Sequence, residues 1–330
     1  MTGRLVAFGE LMLRFSPPAG EQLLQTPVLR TNFGGSEANV AVGYARLGNA
    51  ARFVTALPPS VLGDAAVAAL RAEGIDTGHV VRREGRLGTY YVEGGSDCRP
   101  MRVVYDREHA AIRTLGAGDV DWEAALEGAG WLHVSGITAA LGDACLAALE
   151  RAVATARRLG VRTSVDLNWR PALWTGRDPR PVLAPLVDGV ALLVANVHAI
   201  RAMLGLGADG EDAATIARAV RVRHGADAVA VTMRTVHSAS RHAWQAGWLP
   251  AAGDDTWHAS PLWDVQVTDR VGGGDAFVAG LLHAIDAGMA PQEAIEFATA
   301  AGALKLTVVG DFNRASAADV AQAMRARRGS

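Results

Sequence analysis

Cysteine is scarce in this chain of 330 residues, which contains two, Cys98 and Cys145. They are far apart and form no CxxC arrangement, so the sequence indicates neither a disulfide scaffold nor a zinc cluster. No run approaches the ~18 uninterrupted apolar residues that a membrane-spanning helix needs. The apolar first stretch is interrupted by charged residues and is followed by no cleavage site for a signal peptide. We therefore expect a cytoplasmic protein that does not contact a membrane.

An excess of charge of one sign is also lacking, because 32 Lys and Arg residues are balanced by 34 Asp and Glu residues and the net charge is -2. This balance argues against a nucleic acid or a membrane surface as the partner. Half of the residues are hydrophobic and a fifth are charged, which is typical of a folded globular protein. Any anion that the protein binds should therefore meet a local site.

Short apolar runs of β-forming residues alternate with stretches of helical period along most of the chain. This alternation predicts βαβ units and a mainly parallel sheet. Glycines stand where the predicted helices end, as a left-handed C-terminal cap requires. The predicted strands are 5–9, 51–57, 131–136, 161–168, 190–196 and 227–233, and the predicted helices are 36–48, 64–74, 142–160 and 212–225.

Two stretches, 12–33 and 86–113, are strand-like but have no helical partner. We expect them to pair with each other as a small separate sheet inside a single domain of residues 1–330. Their mixed tyrosine and arginine content suits a lid that closes over a polar ligand. The alternative is that they are edge strands of the main sheet.

The segment "DRVGGGDAFVAG", residues 269 to 280, places three glycines and an aspartate between a strand-like run and a helix-like run. The amides of Gly272, Gly273 and Gly274 can form an anion cradle, to which the helix dipole adds partial positive charge. Asp275 is then placed to accept a proton from a hydroxyl that attacks a phosphorus held there. The alternative is that Asp275 is only a helix N-cap. There is no GxxxxGK[ST] sequence, so a Walker-type phosphate loop is excluded.

Two further segments have polar residues at positions that suit a ligand. In "NFGGSEANVAV", residues 32 to 42, adjacent glycines permit close approach to a polar ligand and Asn39 can hydrogen-bond its hydroxyls; an ordinary capped helix start is equally compatible. In "VDLNWRPALW", residues 165 to 174, Asp166, Asn168 and Arg170 alternate at the end of a strand, where open α/β sheets bind ligands. Arg170 suits a carboxylate or a phosphate, although an ion pair that braces the loop is the alternative.

Taken in order, these segments resemble the ribokinase-like (PfkB) family of sugar kinases. "GGSEANVAV" with "RLG" resembles the first signature of the family, and "DRVGGGDAFVAG" resembles the second. "LMLRFSPP", "VYDR", "SASRHAW" and "GDFN" are most similar to the family members that act on 2-keto-3-deoxygluconate. The resemblance implies a three-layer α/β/α fold with a small β-sheet lid. It also implies transfer of phosphate from ATP, with Mg²⁺, to the terminal hydroxyl of a six-carbon 2-keto-3-deoxy acid.

The resemblance further implies roles for individual residues. Asp275 is the base, and the amides of Gly272, Gly273 and Gly274 are the anion hole. Residues that contact the sugar acid are Gly34, Gly35, Ser36, Glu37, Ala38, Asn39, Tyr90, Tyr105, Arg107, Arg170 and Asp311. Residues on the nucleotide side are Asn168, Arg170, Asn196, the turn from Thr232 to His237 with Met233 and Arg234, and the glycines of the anion hole.

One departure from the family pattern concerns the metal. The family usually has an acidic residue three positions after the strand-end asparagine, and here that position is Ala199, so the metal ligands stay unassigned. The alternatives are a kinase for another sugar acid or ketose, such as 2-keto-3-deoxygalactonate or fructose, and a sugar-acid-binding protein with weakened phosphoryl transfer. We also expect a homo-oligomer, a dimer through the lid or larger.

Overall fold

A central sheet of ten strands organises the computed structural model, which describes residues 3–251, 253 and 255–328. The strands pair in the order β13-β12-β11-β10-β9-β8-β1-β4-β5, with β14 beside β12, and every pair from β11 to β5 is parallel. The strands of this sheet are β1 (Arg4–Phe8), β4 (Ala51–Leu57), β5 (Val80–Arg82), β8 (Ala129–Ser135), β9 (Arg162–Asp166), β10 (Leu192–Asn196), β11 (Ala228–Ser238), β12 (Arg241–Leu249), β13 (His258–Ala259) and β14 (Trp263–Gln266).

Helices cover both faces of this sheet and bury two apolar layers. A parallel sheet needs this double cover, and accordingly all seven residues of β4 are buried. One layer is formed against α1 (Ser36–Arg46), α2 (Val61–Ala72), α9 (Gly273–Asp286), α10 (Pro291–Lys305) and α11 (Ala317–Arg328). The other is formed against α3 (Trp122–Ala125), α4 (Gly136–Ala140), α5 (Asp143–Leu159), α6 (Arg180–Val187), α7 (Val197–Leu204) and α8 (Ala213–His224).

A second sheet of four strands stands apart from the first and has the order β3-β2-β6-β7. Its central pair is parallel and its outer pairs are antiparallel. Met12, Tyr90 and Val92 form a small apolar cluster on it, against which Val271 packs. We call this sheet the lid; its strands are β2 (Met12–Ser16), β3 (Arg30–Gly34), β6 (Gly88–Glu93) and β7 (Arg102–Asp106).

The predicted fold class, a mainly parallel α/β sheet with a small separate sheet, is confirmed. The glycines predicted to end helices, Gly48, Gly74, Gly160 and Gly225, all have positive φ angles, between 63° and 96°. In the part of the chain that the structure describes, no helix combines the length and apolar character needed to cross a membrane.

Two local predictions are wrong. The predicted strand 161–168 ends at Asp166, because Asn168 has a φ of 42° and leaves the extended conformation; the simple alternation from Asp166 to Arg170 is therefore broken. The predicted turn from Thr232 to His237 is a strand, because β11 runs on to Ser238 and pairs with β12 along that stretch. The segment has no glycine, and its β-branched residues favour extended backbone.

Candidate active site

The glycine turn of residues 272–274 begins helix α9, as the sequence predicts. Gly272 is the N-cap with a φ of 84°, and a Cβ on it would lie 2.3 Å from the Asp311 carbonyl oxygen. Apart from its chain neighbours and the backbone of its own helix, no described atom lies within 4 Å of the position that a Cβ on Gly274 would take. The first amides of a helix have no acceptor within the helix, so they are free to bind an anion in this open space.

Asp275 lies at the third position of α9, and both of its carboxylate oxygens accept hydrogen bonds from α1. The Ser36 hydroxyl donates to Oδ1 at 2.8 Å, and the Asn39 amide Nδ2 donates to Oδ2 at 2.7 Å. Ser36 Oγ in turn accepts from Asn168 Nδ2 at 2.5 Å. Asn168, in its left-handed conformation, therefore donates to Ser36. Through Ser36 it links the end of β9 to the Asp275 carboxylate. We call Ser36, Asn39, Asn168 and Asp275 the carboxylate niche.

Burial governs the acidity of the niche. Asp275 is 8% exposed, and burial raises its pKa above the ordinary value, against the hydrogen bonds from Asn39 and Ser36 and the charge of Arg170. Burial, followed by the negative charge of Asp275, raises the pKa of Asp166 to about 7. A carboxyl group whose pKa is raised toward neutrality is a stronger base than an exposed aspartate, which suits proton abstraction from a hydroxyl.

Three arginines lie close enough to one another for their charges to interact. Arg170 follows β9, Arg234 is on β11 and Arg270 precedes the glycine turn. Burial and mutual repulsion, together with the charge of Arg170, lower the pKa of Arg234 and of Arg270. Among the described residues, none of the three forms an ion pair with a carboxylate. We call them the arginine face, and their charges are left for a ligand.

The lid is joined to the loop after α10 by a buried polar cluster. Asp311, which is 2% exposed, accepts from the Tyr90 hydroxyl and forms an ion pair with Arg14 at 2.9 Å. Arg14 also pairs with Asp269 at 2.8 Å. Gly34 must be a glycine here, because a Cβ on it would lie 2.5 Å from Asp311 Cγ. Tyr90 and Asp311 are therefore brought together, but their polar groups bind each other.

Arg107 and Tyr105 are also at the lid. The guanidinium of Arg107 lies over the Tyr105 ring, 4.2 Å from its centroid, and pairs with the buried Glu10 at 3.3 Å. Tyr105 stacks on Tyr90 and stays 43% exposed. Arg107 thus has a carboxylate partner within the protein, unlike the arginine face.

Two residues predicted to line the sugar site have side chains that turn away from it. Glu37 is buried and accepts from the hydroxyls of Ser135 and Thr138, at 2.5 and 2.6 Å. Burial raises its pKa to about 7. Ala38 is buried within the apolar layer of α1. A helix that presents Ser36 and Asn39 to the site must direct the side chains between them toward the core. The sequence pattern alone did not distinguish these two groups of side chains.

The residues predicted on the nucleotide side are spread along β10 and β11. Asn196 caps α7, where its Oδ1 accepts from the Ala199 amide at 2.8 Å. Thr232 and Arg234 share one face of β11 by strand alternation, with Met233 between them. His237 stands at an irregularity in the pairing with β12. These residues therefore form an extended wall instead of the predicted loop.

The side chains present do not form a metal cage. Within the described ranges, no group of three or more His, Cys, Asp and Glu side chains could hold a metal ion. Ala199, where the family has an acid, is buried in the apolar layer of α7. Mg²⁺ commonly binds through one or two carboxylates together with substrate phosphates, so a bound nucleotide would supply several of its ligands.

Three residues of the site region escaped the sequence analysis: Arg14, Arg270 and Lys305. Arg270 lies two residues before Gly272 in "DRVGGGD", so its closeness to the turn in the sequence was the available signal. Arg14 is a charge within an apolar strand, which signals a buried partner. Nothing in the local sequence of Lys305 indicates its position against the turn.

Comparison with known proteins shows the family to which the chain belongs. Residues 2–317 match the family described as pfkB family carbohydrate kinase. The chain belongs to the pfkB family of carbohydrate kinases. The kinase is 35% identical to 2-dehydro-3-deoxygalactonokinase of Haloferax volcanii over 94% of this chain and 93% of the relative.

Solved structures show the same kinship for the kinase. The crystal structure of 2-dehydro-3-deoxygluconokinase from Thermotoga maritima is 38% identical, with a TM-score of 0.94 over 98% of this chain and 99% of that one. A putative ribokinase II from E. coli in complex with ATP and Mg²⁺ has a TM-score of 0.83 over 98% of this chain and 99% of that one. Its identity of 17% shows a shared fold alone.

Proposed function

We propose that this carbohydrate kinase phosphorylates 2-keto-3-deoxy-D-gluconate at its 6-hydroxyl with ATP and Mg²⁺. The observation that carries the proposal is a carboxylate niche at the open glycine turn, with the arginine face close enough for the charge of Arg170 to act on Asp275. Both oxygens of the buried carboxylate are fixed by hydrogen bonds, and none of the three guanidinium groups forms an ion pair with a described carboxylate. This arrangement fits an acceptor that brings one hydroxyl and one carboxylate, together with a polyphosphate donor.

Each group of the chain has one task in this reaction. Asp275 accepts the proton of the attacking hydroxyl, and Ser36 and Asn39 hold the carboxylate in the orientation that meets this hydroxyl. The amides at the start of α9 stabilise the charge on the transferring phosphoryl group. The arginine face orients the anionic groups of the sugar acid and the nucleotide. Tyr105 and Arg107 cover the bound sugar acid from the side of the lid.

The two epimeric acids are the main choice of substrate. The relatives named above are a 2-dehydro-3-deoxygalactonokinase and a 2-dehydro-3-deoxygluconokinase, at similar identities, so 2-keto-3-deoxygalactonate is the second candidate. A neutral ketose such as fructose is disfavoured, because it leaves the arginine face without an anionic partner, and an unpaired polar group in a closed site costs about 1–3 kcal/mol.

The test is ADP formation with Mg-ATP and a panel of 2-keto-3-deoxygluconate, 2-keto-3-deoxygalactonate, gluconate, fructose and ribose. Asp275→Asn should lower kcat at least ~10³-fold on the preferred acid, because it removes the base. The matched control is Asp286→Asn at the other end of α9, where a buried aspartate is bound by Tyr44, Trp131 and Arg162. That variant should lower Tm and leave kcat of the folded enzyme within threefold.

Other outcomes change the proposal in defined ways. Higher kcat/KM on the galactonate epimer or on fructose would replace the substrate. Binding of an acid by calorimetry without ADP formation would make the protein a sugar-acid binder, with Ala199 as the first explanation. Activity retained in Asp275→Asn would remove Asp275 as the base.

We further propose that the kinase acts in the cytoplasm as a homo-oligomer through the lid. Strands β3 and β7 are open edges of the lid, and Val104 on β7 is 47% exposed. Unpaired edges that carry apolar side chains are sites of strand pairing between chains. Light scattering that found only monomer at working concentrations would remove this part of the proposal.

A further inference from the structure

Lys305 is the only lysine of the 330 residues, and it is 0% exposed. It is the last residue of α10. Burial of an ammonium group is costly unless the charge is used, and the cost falls when the charge is paired and fully hydrogen-bonded. All the other Lys or Arg positions of this protein are arginines. The lysine at position 305 therefore requires an explanation.

The lysine packs against the glycine turn. Its Cε is 3.2 Å from the position that a Cβ on Gly272 would take. Its Nζ donates to the Val308 carbonyl oxygen at 3.1 Å. The ammonium is thereby fixed by the loop after α10, and glycine at position 272 permits the close approach of the lysine stem.

Neutralisation of the neighbouring acids does not account for Lys305. Arg14 already forms ion pairs with Asp269 and Asp311. Among the residues that the structure describes, no carboxylate oxygen lies within 4.0 Å of the lysine Nζ. Burial lowers the pKa of Lys305, while the more distant charges of Asp269, Asp311 and Asp275 act in the opposite direction.

We propose that Lys305 is a positioning residue that supplies a fixed positive charge beside the anion hole and thereby stabilises the negative charge of the transferring phosphoryl group through the glycine turn. This inference rests on the proposed phosphoryl transfer. The lysine does not touch the substrate; it strengthens the field at the amides of α9, where low dielectric makes a charge effective.

The single lysine allows a direct measurement that requires no turnover. Protein labelled with ¹³C and ¹⁵N lysine, and free of lysine in any added tag, gives one lysine side-chain signal. Addition of inorganic phosphate, and separately of ADP, should shift this signal and raise the pKa of Lys305, because an anion at the turn favours the charged ammonium. A lysine with a purely structural role keeps its signal and its pKa when the anion binds.

Kinetics supply the second measurement. Lys305→Met should lower kcat at least ~30-fold and change both KM values less than threefold, because the effect falls on the transition state. Lys305→Arg, which keeps the charge, should recover part of that loss. The control is Ile295→Ala on the same helix, also fully buried: it should lower Tm by several degrees through its cavity and leave kcat unchanged.

Where Lys305→Met folds, the inference stands only if the NMR response and the kcat loss are both observed. A kcat of Lys305→Met within threefold of the unmodified enzyme overturns it, and so does an NMR signal that ignores phosphate and ADP. If Lys305→Met fails to fold, the NMR result decides alone. An unmodified enzyme that phosphorylates no acid defeats the proposed function instead, and the NMR titration still reports whether an anion at the turn is sensed by Lys305.

Discussion

The carboxylate niche and the arginine face belong to one candidate site, in which the charge of Arg170 acts on Asp275, yet the protein completes them to different degrees. In the niche, every oxygen of Asp275 already has a donor, and Ser36 is itself held by Asn168. On the arginine face, Arg170, Arg234 and Arg270 repel one another and have no carboxylate partner among the described residues. The base is therefore built at folding, whereas the charge balance of the site is completed only by a ligand.

After the loss of the base itself, the largest effect should come from removing a charge of the arginine face. Arg170→Met or Arg270→Met should raise KM for the acid or for ATP by about 30- to 100-fold, since a charged hydrogen bond contributes about 1.5–3 kcal/mol. Tm should stay equal or rise, because repulsion is relieved and no ion pair is lost. Steady-state kinetics and calorimetric melting check both.

Arg162→Met is the matched control, because Arg162 is bound to Asp286 and stacks on Trp131 at 4.0 Å. It should lower Tm and leave both KM values unchanged. If Arg170→Met lowers Tm as much as this control does, Arg170 has a structural partner and the contrast between the niche and the arginine face is lost.

Alanine substitutions at the glycines of the turn test the open space at the start of α9. Gly274→Ala should lower kcat about 10- to 30-fold with Tm unchanged or raised, because its Cβ enters the open space and alanine favours the helix. Gly272→Ala should lower both kcat and Tm, because φ is 84° and its Cβ would lie 2.3 Å from the Asp311 carbonyl oxygen. Equal Tm losses for the two variants would contradict the orientation of the turn.

A smaller effect is expected in the niche. Asn39→Ala removes the donor to Asp275 Oδ2, so it should lower the free energy of unfolding by about 1–3 kcal/mol and reduce kcat about tenfold through loss of carboxylate orientation. KM should change little. A rise in KM with kcat intact would place Asn39 on the substrate instead of on the base.

The smallest effect on turnover is expected at Glu37, whose protonation makes the stability of the protein depend on pH. Burial raises the pKa of Glu37 from 4.5 to about 7. The folded state then binds this proton more tightly than the unfolded state, so stability falls as pH rises between those two values and is level above them. The fall is about 3 kcal/mol at most, at ~1.4 kcal/mol for each pH unit.

Glu37→Gln has no such proton to lose. Relative to the unmodified protein, its free energy of unfolding should increase between pH 4.5 and pH 7. Denaturant titrations at several pH values measure the difference in free energy of unfolding between the two proteins. Asp166 contributes a similar pH dependence to both proteins, so its contribution cancels in this difference. Parallel curves for the two proteins would show that the Glu37 pKa is not raised.

The sequence predicted the parts of the molecule that depend on local pattern. Alternation of strands and helices, helix-ending glycines and the strand-to-helix glycine turn are properties of short segments, and the structure has them. The sequence predicted Arg170 and Arg234 as site residues but not Arg270. The proximity of these three arginines depends on the order of strands in the sheet. The burial of Glu37 and the continuation of β11 through 232–237 depend equally on neighbours distant in the chain.

The buried contacts of Arg14 and Tyr90 with Asp311 affect the rate at which substrate and product enter and leave the candidate active site. A sheet attached to the core by two ion pairs and a tyrosine cannot swing open as a unit without exposing them, and such opening would be rare on the timescale of turnover. Exchange of acid and product should instead need only local movement at the edge of the lid beside Tyr105, which is 43% exposed. Motion of that single edge would then limit how fast product departs.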